Sequence, residues 1–349
     1  MKTIIERIDP NNINTEIISR AGEIIKNGGL VAFPTETVYG LGGDALKAES
    51  SEKIYAAKGR PSDNPLIVHI SDMADLGPIV SEIPEDALKL ADAFWPGPLT
   101  VIMNKSKLVP YKTTGGLDTV AVRFPSDPVA RAFIKESGGY IAAPSANISG
   151  RPSPTSGKHV VEDMDGRIDM ILYGDDSLIG LESTIVDLTG DKPMILRPGF
   201  VTADMVRKIL PDIIFDPALT SVSKDAHPKA PGMKYRHYAP KGSLVIVEGE
   251  PKAVVSYINN RLNEDKAKGK RTGVIVSSAT AGSYLADRVY TTGDAGDEQA
   301  VAHNLFGILR QADDDEIDSI YSESFEDDGI GTAIMNRLLK AAGHNIVHI

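Results

Sequence analysis

The segment KGRPSDNPLIVHI, residues 58–70, holds three side chains that could bind an anion. Lys58 offers a point charge, Arg60 a planar fork that binds carboxylate or phosphate through two hydrogen bonds, and His69 a ring that donates or accepts a hydrogen bond. The alternative is that both cations are solvated and the histidine is half-buried in a strand. Polar groups elsewhere in the chain that join this cluster would favour chemistry.

Four further segments place polar groups beside the ends of predicted strands: GGLDTVAVRFP, AAPSANISGRPSPT, GLESTIVDL and ILRPG. In the second of them, Ser145 and Asn147 follow a strand and share a proline-stiffened loop with Arg151 and Ser153. The alternative is a Ser/Pro-rich surface loop without function. The repetition of this arrangement favours a polar binding pocket.

Two arginines lie in or directly after apolar runs. Arg123 follows the run TVAV, and Arg197 follows MIL and precedes Pro198. A buried unpaired guanidinium is costly, so Arg123 either borders a pocket or lies at a sheet edge paired with an acid. Arg197 poses the same choice between a ligand and a structural ion pair.

The chain shows no agent for covalent catalysis. It has no cysteine, no GxSxG segment, no convincing Ser/His/Asp set and no HExxH spacing among its seven histidines. These absences argue against a thiolate nucleophile and a structural metal. The pocket is therefore interpreted as one that holds anions in place.

The glycine-rich segment 34–45, PTETVYGLGGDA, invites a different interpretation. Gly40, Gly42 and Ala45 fit the dinucleotide pattern GxGxxG/A, but several residues separate them from the preceding strand and no Walker lysine follows. Pro, Thr and Gly are also ordinary turn formers. We regard this match as misleading.

The elements that position these residues form two α/β units. Asn14 caps a helix that stops at Gly28, and a strand LVAF follows. Short apolar runs then alternate with helix-like segments near 49–57, 85–94 and 127–136, which predicts a twisted mixed sheet with helices. We assign a catalytic domain to 1–210, a proline-rich linker to 211–240, and a small doubly wound, Rossmann-like α/β domain to 241–349.

Composition narrows the function classes. With 37 Lys plus Arg against 48 Asp plus Glu, the formal charge of −11 repels polyanions, so tight nonspecific nucleic-acid binding is disfavoured. The first ten residues carry charges where a signal peptide needs apolar residues, and no uncharged run approaches the eighteen or so residues of a membrane span. We expect a soluble, cytoplasmic protein without membrane contact.

Six motifs in order, PTETVYGLG, KGRPSDNPL, WPGPLT, PSAN with SGRPSPT, ESTI and LRPG, resemble the YrdC-like domain of threonylcarbamoyl-AMP synthases. The segment PGMKYRHYAP and the small α/β unit resemble the two-domain form of that family. The resemblance implies a nucleotidyltransferase that makes L-threonylcarbamoyladenylate and pyrophosphate from L-threonine, bicarbonate and ATP. Other proteins would then transfer the product to tRNA, so any tRNA contact is at most indirect.

The resemblance also implies residue roles. Lys58 and Arg60 are the catalytic candidates, and Mg²⁺ arrives with ATP rather than on protein ligands. The linker would arch over the pocket and exclude water. The threonine site would comprise Thr35, Arg60, His69, Arg123, Ala143 through its backbone, and Ser183. The ATP site would comprise Lys58, Ser62, Thr119, Ser145, Asn147, Ser153, Arg197 and Tyr235.

Three other functions compete with this one. A nucleotide- or RNA-binding module without turnover would show binding with steep salt dependence. The carbamoyltransferases of hydrogenase maturation also contain a YrdC-like domain, but they carry cysteine zinc fingers and this chain has no cysteine. An NAD-dependent dehydrogenase ranks last because it rests on the glycine pattern alone.

Overall fold

The structure, a computed structural model, describes residues 2–219, 237–294 and 296–349. The chain divides into two compact units. The described residues of unit 1 come from 2–149 and 153–219, and those of unit 2 from 150–152 and 237–349. No helix within the described ranges is long and apolar enough to cross a membrane.

Unit 1 is an α/β unit. Its strands are β1 Ile4–Arg7, β2 Val31–Phe33, β3 Gly40–Asp44, β4 Ile67–His69, β5 Leu99–Asn104, β6 Thr119–Arg123, β7 Ile141–Ala142, β8 Met170–Tyr173, β9 Thr184–Asp187, β10 Met194–Arg197 and β11 Ile214–Phe215. Its helices are α1 Thr15–Lys26, α2 Ala48–Lys58, α3 Leu76–Ile79, α4 Glu85–Phe94, α5 Pro128–Glu136, α6 Gly157–Met164 and α7 Ala203–Arg207, with 3₁₀ turns at Met73–Asp75 and Pro217–Leu219.

The eleven strands form one mixed sheet in the order β1-β8-β2-β3-β7-β4-β6-β5-β9-β10-β11. Neighbours such as β4 and β6 run parallel, whereas β5 and β6 run antiparallel. The predicted mixed sheet is therefore confirmed. Helices α2, α4 and α5 match the three helices that apolar spacing predicted.

Helix α1 shows how local sequence builds this unit. The Asn14 side chain accepts hydrogen bonds from the amides of Glu16 and Ile17, which satisfies two donors at the helix start. One face of the helix then buries Ile18, Ala21 and Ile25 in the core cluster that includes Phe33 of β2. The helix predicted from Asn14 is thus confirmed, and it supports the strand that precedes the PTET segment.

The glycines of the segment 34–45 form a strand rather than a phosphate loop. Gly40–Asp44 pairs antiparallel with β2 and β7. A Cβ on Gly42 would lie 2.9 Å from the Cγ2 atom of Ile141, so close packing of neighbouring strands requires glycine there. This geometry removes the basis for a dinucleotide site.

Residues 211–219, where the sequence prediction begins the linker, contribute to the sheet of unit 1. Ile214–Phe215 pairs parallel with β10 as strand β11. Residues 220–236 lie outside the described structure. The predicted lid role of the linker, and Tyr235 within it, therefore stay predictions.

Unit 2 is built on a five-stranded sheet. Its strands are β12 Ser243–Glu248, β13 Thr272–Val276, β14 Arg288–Thr291, β15 Ser319–Glu323 and β16 Ile346–His348, and its helices are α8 Pro251–Ala267, α9 Glu298–Asp314 and α10 Gly331–Ala341. A 3₁₀ turn lies at Ala281–Ser283. The order is β14-β13-β15-β12-β16 with every pairing parallel. This is the parallel α/β sheet that the sequence predicted.

Candidate active site

Lys58 is held against the loop that contains Ser145 and Asn147. It is the last residue of α2, and Gly59 ends the helix in the left-handed conformation with φ 62°. The Lys58 Nζ atom donates to the carbonyl oxygens of Ser145 and Asn147, the latter at 2.6 Å, and to the Asn147 Oδ1 at 3.3 Å. Ser145 Oγ donates to the same Oδ1 at 2.5 Å.

These contacts join three predicted site residues that come from two separate motifs. An ammonium group has three donors, and three hydrogen bonds run from Lys58 to the loop. Lys58 is 2% exposed. It therefore fixes the backbone of residues 145–147 and places a buried positive charge beside it.

A second group of predicted residues lies in one row across the sheet. Strand register aligns His69 with Arg123, Arg123 with Thr100, Thr100 with Ile185, and Ile185 with Arg197. Side chains of directly paired residues lie on the same face of a sheet. All five of these residues are buried. The sheet thus brings His69, Arg123 and Arg197 to one face, although they come from separate strands.

Ser183 is hydrogen-bonded to two residues of this row, Arg197 and Thr100. Arg197 Nε donates to the Ser183 carbonyl oxygen at 3.0 Å, and Arg197 Nη2 donates to Ser183 Oγ at 3.1 Å. The Oγ1 atom of Thr100 lies 2.7 Å from Ser183 Oγ. Because the Ser183 hydroxyl accepts from the guanidinium, its own proton is available to Thr100 or to a bound ligand.

Arg123 forms a buried ion pair with Glu36, and its strand is not at an edge of the sheet. Its Nη2 atom lies 2.8 Å from Glu36 Oε1, with the two side chains 5% and 8% exposed. Strand β6 lies between β4 and β5, so of the two alternatives for Arg123 the sheet-edge position does not hold, although Arg123 does pair with an acid. Within the described residues, the Nε and Nη2 atoms of Arg123 and both Glu36 carboxylate oxygens make no hydrogen bond of good geometry. These buried atoms retain hydrogen-bonding capacity for a ligand.

His69 is a neutral group in this environment. Burial, with a further contribution from the positive charge of Arg123, lowers the pKa of His69 to about 3. Its Nδ1 atom lies 3.2 Å from the carbonyl oxygen of Ile67, and the ring meets Phe33 edge to face. The imidazole of His69 is therefore neutral, and it can offer a hydrogen bond to a ligand but no charge.

Thr35 and Glu36 also border a cavity of about 260 Å³. Thr35 Oγ1 donates to the Val38 carbonyl oxygen at 2.6 Å. Asp127 lines the same cavity, and burial, with a contribution from the negative charge of Glu36, raises its pKa to about 6. The cavity is acidic, in contrast to the cationic row next to Ser183.

The other residues predicted for the threonine site are held by backbone groups. Arg60 Nε and Nη2 donate to the carbonyl oxygens of Asn64 and Pro65 at 3.3 and 3.2 Å. The Ala143 amide donates to Ile67 at 2.9 Å, which leaves the Ala143 carbonyl as its remaining backbone group. Ile67 belongs to β4, the strand that carries His69, and Ala143 directly follows the neighbouring strand β7.

The remaining residues predicted for the ATP site differ in their surroundings. Ser153 is fully buried, and its Oγ donates to Glu182 Oε1 at 2.6 Å. Thr119 is two and four positions before Ala121 and Arg123 on β6, so it shares their face. Ser62 is exposed in the turn after α2.

Three residues of the site were not assigned from the sequence: Glu36, Thr100 and Glu182. Glu36 and Glu182 stand inside the motifs PTET and ESTI, directly beside Thr35 and Ser183. A carboxylate next to an assigned residue was the available signal, because a buried arginine needs an acidic partner. Thr100 gave no signal of its own, since only the register of β5 places it beside Ser183.

Carboxylate clusters give no metal site within residues 2–219. In unit 2, Glu298, Glu326 and Asp328 offer oxygen atoms within 4.8 Å of one another, and the latter two are exposed. Exposed acids group in this way without binding a cation, so this cluster carries no assignment.

Two family models match the chain. One, described as telomere recombination, matches residues 23–199. The other, described as the C-terminal domain of threonylcarbamoyl-AMP synthase, matches residues 201–343. The two matches cover most of both units.

Several known proteins are similar along nearly the whole chain. A threonylcarbamoyl-AMP synthase of Pyrococcus abyssi is 49% identical over 94% of this chain and 95% of its own. One of Bacillus subtilis is 44% identical over 99% and 100%, respectively. The crystal structure of P. abyssi Sua5 complexed with L-threonine matches with a TM-score of 0.94 at 48% identity, covering 99% of this chain and all of that one.

Proposed function

Because this chain belongs to the threonylcarbamoyl-AMP synthase family, we propose that it converts L-threonine, bicarbonate and ATP into L-threonylcarbamoyladenylate and pyrophosphate. The observation that carries the proposal is the row of buried polar groups that joins His69, Arg123 and Arg197 to Ser183. Buried guanidinium groups suit the carboxylate, carbamate and phosphate groups of this reaction.

The threonine subsite is proposed around the end of this row. Arg123 and Arg60 would hold the substrate's carboxylate or the carbamate made from it, and Ser183 would supply a hydroxyl. Neutral His69 and the Ala143 carbonyl would complete the polar wall, with Thr35 beside them. The unused hydrogen-bonding capacity of Arg123 supports this assignment, since a bound anion would satisfy it.

The ATP subsite is proposed around the loop held by Lys58. Ser145, Asn147 and Ser153 lie on that loop, and Lys58 contributes its charge as well as its hydrogen bonds to the loop backbone. Arg197 and Thr119, on strands of the sheet, and Ser62, in the turn after α2, are proposed to complete this subsite. A buried positive charge beside backbone groups favours binding of a polyphosphate.

The reaction needs positioning more than a protein nucleophile. The threonine ammonium and bicarbonate combine to a carbamate with loss of water and one proton. A carbamate oxygen then attacks the α-phosphorus in line, the bond from that phosphorus to the bridging oxygen breaks, and pyrophosphate leaves. Lys58 and Arg60 are proposed to stabilise the charge that develops on the phosphoryl oxygens.

Magnesium is proposed to enter with its ATP substrate. Bound to the phosphates, Mg²⁺ would neutralise charge on the departing pyrophosphate. The side chains assigned to the proposed ATP subsite are cations, hydroxyls and an amide, which suit the phosphates rather than the metal, while the nearby Glu182 carboxylate accepts from Ser153. We further propose that separate transfer proteins use the adenylate to modify tRNA in the cytoplasm.

The test is pyrophosphate release from MgATP by the purified full-length protein, with mass spectrometry of the product. We expect release only when L-threonine and bicarbonate are both present, together with the threonylcarbamoyl adenylate. Omission of either substrate is the matched control. Release that does not depend on L-threonine would contradict the proposal, and salt-sensitive RNA binding without release would identify a binding module instead.

A further inference from the structure

The loop of residues 145–153 is held from two directions. Lys58 of unit 1 binds its start, where the Ser149 amide also donates to the Lys58 carbonyl oxygen at 2.9 Å. Its tip, Gly150–Pro152, belongs to unit 2. The chain then returns to unit 1 at Ser153, whose hydroxyl binds Glu182. Residues on both sides of the tip are proposed nucleotide ligands.

One arginine of unit 2 binds this tip. Arg310 lies in α9 and is 1% exposed. Its Nε and Nη2 atoms both donate to the Pro152 carbonyl oxygen, at 3.2 and 2.6 Å. Hydrogen bonds from a charged donor are stronger than those between neutral groups, and burial strengthens them further.

The same face of α9 holds the end of the linker. Phe306, one helical turn before Arg310, packs its ring 5.0 Å from that of Tyr238. The next residue, Ala239, donates its amide to the Gly150 carbonyl oxygen at 2.9 Å. Phe306 and Arg310 therefore fix two segments, the loop tip and residues 238–239, against one helix.

We propose that Arg310 is a positioning residue for nucleotide binding. It fixes the Pro152 carbonyl and thereby places Ser153, to which Pro152 is bonded, and Asn147 on the other side of the tip. Gly150, at φ 92°, adopts a backbone conformation in this segment that favours glycine. The inference rests on the proposed ATP subsite and assigns a role in the reaction to unit 2.

The role predicts a selective kinetic effect. Without the two hydrogen bonds, the Pro152 carbonyl is no longer fixed to α9 and the nucleotide ligands beside it are less precisely placed, whereas the row of His69 and Arg123 lies on the sheet of unit 1. Arg310→Met keeps the apolar stem and removes the donors. We expect its KM for ATP to rise about tenfold while its KM for L-threonine stays within about twofold of the wild type.

Two further variants make the comparison specific. Arg310→Lys keeps the positive charge and an N–H donor, and we expect it to recover most of the ATP affinity. Arg261→Ala removes an arginine on α8 that pairs with Glu264 near the surface, and it should leave both KM values unchanged. Equal rises in both KM values for Arg310→Met would indicate a general structural role and overturn the inference.

Direct binding of MgATP, measured by calorimetry without threonine, separates this inference from the proposed function. Failure of the wild type to bind would contradict the ATP subsite itself. Binding by the wild type, its loss in Asn147→Ala and unchanged binding in Arg310→Met would refute the role of Arg310 alone. If Arg310→Met does not fold, Gly150→Ala strains the same tip and should weaken MgATP binding; unchanged binding there would also refute the inference.

Discussion

Replacing Arg123 with methionine would leave Glu36 as a buried carboxylate without its cation. The two charges lie 2.8 Å apart, and their side chains are 5% and 8% exposed. At an effective dielectric constant of about 20, their attraction is about 6 kcal/mol, which desolvation of both groups partly offsets. Removing one partner of such a pair costs about 3–5 kcal/mol. We expect Arg123→Met to lose this much stability in unit 1.

The matched variants separate stability from binding. Glu36→Gln together with Arg123→Met removes both charges, so we expect the double variant to regain most of the lost stability. It should not regain L-threonine binding, because the guanidinium proposed to hold the substrate's carboxylate is still absent. The pair of variants thus distinguishes a ligand-binding arginine from one that only neutralises an acid.

The assay can be confined to unit 1. Trp95 is the single tryptophan of the chain, and its Nε1 atom donates to the Leu99 carbonyl oxygen at 2.7 Å. Urea unfolding followed by its fluorescence therefore reports on unit 1, while calorimetry measures L-threonine binding. A loss below about 1 kcal/mol in Arg123→Met would refute the buried ion pair. Recovered threonine binding in the double variant would refute the role of Arg123 in the site.

The elements that the sequence predicts correctly are those whose signal is local. Helix α1 follows from its Asn14 cap and its apolar spacing, and the loop that contains Ser145 and Asn147 follows from its prolines and its position after a strand. The contact of Lys58 with this loop joins two motifs that were paired only through the family resemblance.

The features of the site that could not be predicted from the sequence depend on the long-range register of the strands. The row from His69 through Arg123 and Thr100 to Arg197 exists because five strands align, and no local pattern encodes that alignment. Gly40–Asp44 was misleading for a different reason, since glycine serves both phosphate loops and closely packed strands. Lys58 was expected to bind an anion, yet its hydrogen bonds also hold the loop.

Two further predictions concern acid stability and close packing in unit 1. Burial lowers the pKa of His69 to about 3 in the folded chain, against about 6.5 in the unfolded chain. The contribution of neutral His69 to the free energy of unfolding is therefore complete above pH 6.5 and is lost as the pH falls towards 3, at up to about 1.4 kcal/mol per pH unit. We expect the free energy of unfolding of His69→Gln, followed by Trp95 fluorescence, to fall less steeply with pH between about 6.5 and 3 than that of the wild type. An unchanged slope of unfolding free energy against pH would contradict this. A Cβ on Gly199 would lie 2.6 Å from the Thr184 amide nitrogen, whereas a Cβ on Gly190 would have no neighbour nearer than 3.8 Å. The Thr184 backbone cannot rotate away as a side chain can. We therefore expect Gly199→Ala to lower the free energy of unfolding in urea by about 1–3 kcal/mol and Gly190→Ala to leave it at the wild-type value. If the two variants are equally stable, the segment after Arg197 can shift to admit the added methyl group. That result would contradict a fixed position of the Arg197 guanidinium on Ser183.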